Sequence, residues 1–300
     1  MNFDHPEVRE EFVKIANFWM DVGVDGFRLD AAKHIFDDFQ SSHNDPTVRE
    51  KNVDWWKEFR RGLVEQGHEP YLIVEIRDSS AAVIAPYLDQ AFDSGFNFGL
   101  AEQLLRSVFN ESNALPSTLD RIYELYGRVS GGSFVDAPFL SNHDQDRVMS
   151  RLGGNVDHAK MAASMLMTMA GNPFIYFGEE IGMTGMKPDE RIREPMAWQA
   201  GDASLLDHYR RLIHYRNSET ALNAGTIEPY TVADNGVMAY VRHSTEDQVL
   251  VVHNLTGEEK RIPLSGEGEL YSDISFSSSH GAKFSAFELI IPAYTTVVLK

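Results

Sequence analysis

Three carboxylates in this chain stand where apolar runs stop. Asp30 closes the run Val24–Leu29, Glu75 closes PYLIV, and Asp144 lies just past Phe134–Leu140. Arg28 and Asp30 are two residues apart, so on a strand they point to one face. Burying either charge alone costs about 3–5 kcal/mol, so the two are paired or used. Two carboxylates facing each other at the mouth of a barrel suit cleavage of a glycosidic bond. One stays ionised and attacks the sugar carbon, while the other keeps a proton for the leaving oxygen. Arg28 favours the ionised form of Asp30. The apolar stretch Tyr71–Val74 raises the hold of Glu75 on its proton. The plainer alternative is a buried Arg28–Asp30 ion pair with Glu75 capping a helix.

Lys33 and His34 follow Asp30 in the loop its strand feeds; they either line a site or are merely solvated. His143 alone reads as a hydrogen-bonded loop histidine, and beside Asp144 it joins the candidate set. Glu179 and Glu180 read as structural acids near a helix start, and Asp93 is left as structural too. No HxxxH or DxDxDG spacing occurs, so no metal site is assigned. The paired glycines 131–132 and 153–154 lack the neighbours of a phosphate loop.

Positioning these acids takes strands that alternate with helices. Helices are expected over Pro6–Asp21, with Val8, Phe12, Ile15, Ala16 and Trp19 as the buried stripe, and over Val53–Glu65, Ala81–Leu88, Leu100–Phe109, Pro116–Tyr126, Asp157–Ala170 and Ser204–Asn217. Strands are expected at Val24–Leu29, Pro70–Glu75, Gln90–Asp93, Phe134–Leu140 and Pro173–Phe177. Residues 34–52 read as a polar loop. Such alternation means βαβ units and a parallel sheet, whose functional face is where strands end. After about Ala221 the pattern turns antiparallel, with strands at Val237–Arg242, Gln248–Asn254, Gly268–Ser272, Phe287–Ile291 and Thr295–Leu299. This gives a parallel α/β domain over residues 1–220 and a small all-β sandwich over 221–300.

A net charge of −18 disfavours nucleic acid and anionic membranes as partners and leaves a neutral sugar open. No apolar run reaches the roughly 18 residues of a membrane helix. MNFDHPEVREEF has no signal-peptide pattern, and secreted and cytoplasmic locations both fit. With no cysteine there is neither disulfide nor thiolate chemistry.

GFRLDAAKH, YLIVEI, FLSNHDQDR, NPFIYFGEEIGM and IREPMAW, in that order, resemble the strand-four, strand-five, strand-seven, strand-eight and following segments of the α-amylase family, glycoside hydrolase family 13. The resemblance implies a retaining hydrolase of α-1,4-glucans such as starch and maltooligosaccharides. Asp30 is then the nucleophile, Glu75 the general acid and base, and Asp144 the acid that grips sugar hydroxyls. Arg28 orients Asp30, His143 binds the same sugar, Lys33 and His34 line the acceptor side, and Arg147 reaches a neighbouring sugar. Val74 stands where the family usually has a small residue, and Arg77 where it often has an aromatic one. The resemblance also implies the C-terminal part of a TIM (β/α)8 barrel, about five βα units, with the first three strands absent. No cofactor is implied for this chain, and calcium belongs to full-length relatives. Exposed barrel edges imply self-association or a complementing chain. The alternatives are a transglycosylase of the same family, or a catalytically silent fragment serving assembly or sugar binding.

Overall fold

The computed structural model describes residues 1–37 and 45–300. It divides into two compact units, Met1–Phe98 with Ile122–Ala137, and Gly99–Arg121 with Pro138–Lys300.

The first unit opens on helix α1 (Pro6–Val22), with Pro6 in the first turn and Gly23 closing it in the left-handed region at φ 110°. Of its expected buried stripe only Ala16 is buried, while Ile15 and Trp19 are about half exposed. The core-facing side is instead Phe12, Val13 and Ala16. Strand β1 (Gly26–Leu29) is half-buried rather than buried. Helix α2 (Pro46–Val64) begins seven residues before the expected Val53, because the Asp45 carboxylate caps it by accepting from the Thr47 amide at 2.8 Å. Of the expected 34–52 loop, residues 38–44 lie outside the described residues.

Strand β2 (Tyr71–Val74), helix α3 (Ala81–Leu88) and strand β3 (Ser94–Phe96) follow, and after helices α4 (Phe98–Asn110) and α5 (Leu115–Ser130) comes strand β4 (Val135–Ala137). The strands form a parallel sheet in the order β1-β2-β3-β4. The third strand lies beyond the expected Gln90–Asp93. Gln90 takes a left-handed φ of 60°, and the Asp93 carboxylate turns back to the Leu72 amide (2.7 Å) and to Arg60, so those residues close a turn. Trp55, Trp56, Phe59 and Leu63 of α2 pack with Leu72, Val74 and Phe92 as the core beneath this sheet.

In the second unit, helices α6 (Val148–Arg151) and α7 (Val156–Thr168) precede the expected fifth strand, Pro173–Phe177. No strand forms there; only a single parallel bridge joins Phe174 to Phe139. Phe174, Ile175 and Phe177 are more than a third exposed, and the Phe177 carbonyl is taken by the Arg147 guanidinium at 2.7 Å. A 3-10 turn (Glu179–Ile181), α8 (Asp189–Ile192), α9 (Ala203–Ser218) and α10 (Thr220–Ala224) complete the helices.

Eight short strands follow: β5 (Thr226–Pro229), β6 (Val237–His243), β7 (Gln248–Asn254), β8 (Lys260–Pro263), β9 (Ile274–Ser277), β10 (Lys283–Ser285), β11 (Glu288–Ile291) and β12 (Thr296–Leu299). They form a five-stranded sheet, β5-β6-β7-β12-β9, and a three-stranded sheet, β10-β11-β8. All pairings are antiparallel. Alternate residues such as Val237, Ala239, Val241, Leu250 and Val252 meet Ile262, Leu289 and Ile291 in a shared core. The expected strand at Gly268–Ser272 is instead a 3-10 turn, Gly266–Leu270.

The carboxyl end of α7 is stapled by two buried arginines. Arg216 donates to the carbonyls of Met167, Met169 and Gly171. Arg242 donates to those of Thr168, Leu222, Gly225 and Thr226. Helix-end carbonyls carry partial negative charge, which suits a guanidinium.

Candidate active site

The pairing of β1 with β2 sets Gly26 opposite Tyr71 and Leu29 opposite Val74. One step further, that register brings Asp30 beside Glu75. The ladder continues through them, with the Glu75 amide donating to the Leu29 carbonyl (3.0 Å) and the Ala32 amide to the Glu75 carbonyl (3.1 Å). The strands need close contact to do this. A Cβ on Gly26 would lie 1.8 Å from the Tyr71 carbonyl oxygen.

Arg28 reaches both acids. Its Nη1 lies 2.8 Å from Asp30 Oδ1 and its Nη2 2.7 Å from Glu75 Oε2. The two carboxyls differ sharply in exposure, 72% for the Asp30 side chain and 12% for that of Glu75. Burial pushes the Glu75 carboxyl above its ordinary value, and a hydrogen bond with the Asp30 carboxyl adds to the rise. The Arg28 charge and the Ala31 amide, 3.4 Å from Oε2, pull against it. Both acids share the Arg28 cation and differ in exposure: Asp30 is wet, while Glu75 is drier and biased towards holding a proton, which is the separation that acid and nucleophile roles require.

Ala31 follows at φ 46°, a left-handed turn that costs a non-glycine residue about 1 kcal/mol. It turns the chain away straight after Asp30. The loop beyond is held by Asn52, which sequence reasoning passed over. Asn52 is 1% exposed, accepts from the amides of Ile35 and Phe36 (both 3.2 Å) and donates to the Lys33 carbonyl (2.7 Å). The expected polar loop ends at Asn52, and nothing local marks this asparagine as the residue that holds the loop. Lys33 is tied to Asp78 at 3.0 Å. Burial alone would raise the Asp78 carboxyl, but the Ser80 amide and Lys33 outweigh it and hold it low. His34 pairs through Nδ1 with Asp37.

In the second unit Asp144 sits in a turn whose amide donates to Asn142 Oδ1 at 2.9 Å. Its Oδ2 lies 3.4 Å from His143 Nε2 and its Oδ1 2.6 Å from Arg193 Nη2. Arg193 was not singled out from the sequence, because its only signal is its place in IREPMAW. Arg147 is 2% exposed. Its guanidinium lies over the rings of Tyr176 (4.6 Å) and Phe177 (4.8 Å), so in this structure it faces protein. Glu179 is buried, accepts from the Tyr209 hydroxyl at 2.7 Å and is pushed up to about 8 by burial. Among the described residues no three His, Asp or Glu side chains are grouped to hold a metal, and no helix is long and apolar enough to cross a membrane.

Residues 1–224 match the family model of the α-amylase catalytic domain. The chain belongs to the α-amylase family. Residues 237–298 match the C-terminal domain of the α-amylase SusG. The chain is similar over its whole length to α-amylase 3 of Dictyoglomus thermophilum, 36% identical and covering 63% of that protein. It is 28% identical to SusG of Bacteroides thetaiotaomicron over 95% of the chain and 46% of that protein. Among solved structures, an α-amylase from H. orenii superposes with a TM-score of 0.84 at 36% identity, over 99% of this chain and 65% of that one. The chain thus spans less than two thirds of the length of these relatives. The four parallel strands β1–β4 with their helices are part of the α-amylase (β/α) barrel, and the antiparallel sheets are its C-terminal domain.

Proposed function

We propose that the protein is a retaining glycoside hydrolase that cleaves α-1,4-glucans such as starch and maltooligosaccharides. The observation that carries this reading is the β1–β2 register, which sets Asp30 beside Glu75 under one bridging guanidinium. Retaining pairs stand about 5–5.5 Å apart, inverting pairs about 6.5–9.5 Å with a water between. One arginine holding both acids favours the closer arrangement. The names of the relatives, α-amylase, neopullulanase and cyclomaltodextrinase, agree with an α-glucan substrate.

In this reading Asp30 attacks the anomeric carbon, and Glu75, still protonated, gives its proton to the departing oxygen. Glu75 then takes a proton from water, which displaces Asp30 from the glycosyl-enzyme. Arg28 keeps Asp30 ionised, and Asp144 and His143 hold the hydroxyls of the same sugar. Lys33 and His34 lie on the acceptor side. Arg147 acts by fixing the Phe177 segment. Residues 1–220 carry this chemistry and residues 221–300 form an accessory β-domain. Trp198, 85% exposed, offers an indole face for stacking on a pyranose ring.

The test is release of reducing sugar from soluble starch by the full-length protein, with Asp30→Asn and Glu75→Gln beside it. Activity lost in both variants supports the reading. Activity equal in all three, or absent from the wild type, favours the silent sugar-binding or assembly module. Transfer to an added maltooligosaccharide acceptor in place of water marks a transglycosylase.

A separate partner reading rests on the edge of the sheet. β1 ends the four-stranded order, and Ile15, Phe18, Trp19 and Val22 of α1 are exposed. Among the described residues no strand pairs with the outer edge of β1, and a strand edge beside apolar surface recruits another strand, from a second copy or a complementing chain. Sedimentation of this 300-residue chain tests it: a monomer at micromolar concentration contradicts it.

A further inference from the structure

Asp144 is gripped from one side by a segment that carries no acid of the proposed reaction. Residues 185–193 run along the Asp144 loop, fastened at several points. The Arg147 amide donates to the Gly185 carbonyl at 2.9 Å, and the Gly185 amide to Ser150 Oγ at 2.8 Å. The Lys187 amide donates to Asp146 Oδ1 at 2.7 Å. At the far end Arg193 uses two edges of its guanidinium. Nε donates to the His143 carbonyl at 2.8 Å and Nη2 to Asp144 Oδ1 at 2.6 Å. Nη2 is also 3.1 Å from Asp189 Oδ2, so the arginine is itself held from behind.

This two-point fork fixes both the backbone and the carboxylate plane of the His143–Asp144 step. A lysine, with one point charge, cannot do both. The Arg193 and Asp144 side chains are 46% and 41% exposed. Exposed pairs add little to folding, and the segment keeps its other fastenings without this one. What the fork does supply is a fixed orientation for a half-exposed carboxylate whose other oxygen lies 3.4 Å from His143 Nε2. A carboxylate oxygen that accepts one bond from Arg193 has a second lone pair to accept from a sugar hydroxyl.

We propose that Arg193 is the positioning residue for Asp144, presenting its carboxylate to the ring hydroxyls of the sugar being cleaved. This rests on the glycosidase reading above. Its consequence concerns the substrate: Arg193 matters only where a hydroxyl is there for Asp144 to hold.

The experiment uses the full-length protein and two activated donors, an α-glucosyl-type fluoride and its 2-deoxy counterpart. The variants are Arg193→Ala, Arg193→Lys and Asp144→Asn. For the parent donor, Arg193→Ala is expected to lower kcat/KM about 10- to 50-fold, mostly in kcat because the hydroxyl contact tightens in the transition state. Arg193→Lys recovers part of that loss. For the 2-deoxy donor, which lacks one of those hydroxyls, the same substitution costs several-fold less, and Asp144→Asn shows the same donor dependence. An Arg193→Ala variant that loses equally on both donors, or loses nothing on the parent, overturns the proposal. In either case, wild-type cleavage abolished by Asp30→Asn leaves the glycosidase reading standing. A wild type that cleaves neither donor overturns both together.

Discussion

Glu179 is the buried acid whose ionisation has the most direct consequence for folding. It is 7% exposed, at the start of the Glu179–Ile181 turn. Tyr209 donates to its Oε1 at 2.7 Å and Ser141 to its Oε2 at 3.4 Å. Burial raises it from an ordinary 4.5 to about 8, with the neighbouring Glu180 adding to the rise and the Tyr209, Ser141 and Arg147 groups opposing it. Between those two values only the unfolded chain ionises, so the folded state holds the extra proton. The stability this confers is complete below pH 4.5 and is lost as pH rises towards 8, at about 1.4 kcal/mol per pH unit.

Glutamine at this position accepts from Tyr209 through its oxygen and donates to Ser141 through its nitrogen, and it never ionises. Glu179→Gln is therefore expected to gain on the wild type by about 2–3 kcal/mol between pH 5.5 and 7.5. Asp136, raised by burial to about 6, titrates in both proteins and cancels. Urea unfolding of both at the two pH values measures the difference. A gap between the two proteins that stays constant, or narrows with rising pH, refutes the reasoning.

Other perturbations have equally definite outcomes. Arg28→Ala removes the charge that holds Glu75 down, so the basic limb of the pH–rate profile is expected to move to higher pH while kcat falls at least 100-fold; an unmoved limb contradicts the assignment. Gly26→Ala drives a Cβ to 1.8 Å from the Tyr71 carbonyl and breaks the β1–β2 register, so starch cleavage should fall together with the melting temperature. Arg242→Met leaves the carbonyls of Thr168, Leu222, Gly225 and Thr226 without their donor, which is expected to cost about 3–5 kcal/mol by urea unfolding.

The acid pair was legible because β1 and β2 each run straight into a carboxylate, and a parallel register needs only strand ends to align them. Helices α3 and α9 were legible too, falling within a residue of expectation. The missed elements have physical reasons. Pro173–Phe177 looks like a buried strand from composition, yet its carbonyls and rings serve Arg147 instead. Strands β5, β8, β9 and β10 have four residues or fewer and little alternation, so their pairing is decided by partners distant in sequence. Arg193 and Asn52 act through loops they meet only after folding, 49 and up to 19 residues away. No local pattern announces such contacts.

In the proposed reaction Asp30 becomes covalently bonded to sugar while Glu75 handles the proton. Trapping the intermediate tests this most directly. The full-length protein is incubated with a fluorinated α-glycosyl fluoride, which slows the second step more than the first, then digested and weighed by mass spectrometry. The expected product carries one glycosyl group per molecule, on the peptide that contains Asp30, and accumulates further when Glu75 is replaced by Gln with an activated donor. A label on another carboxylate, or turnover with inversion and no label, contradicts that reaction.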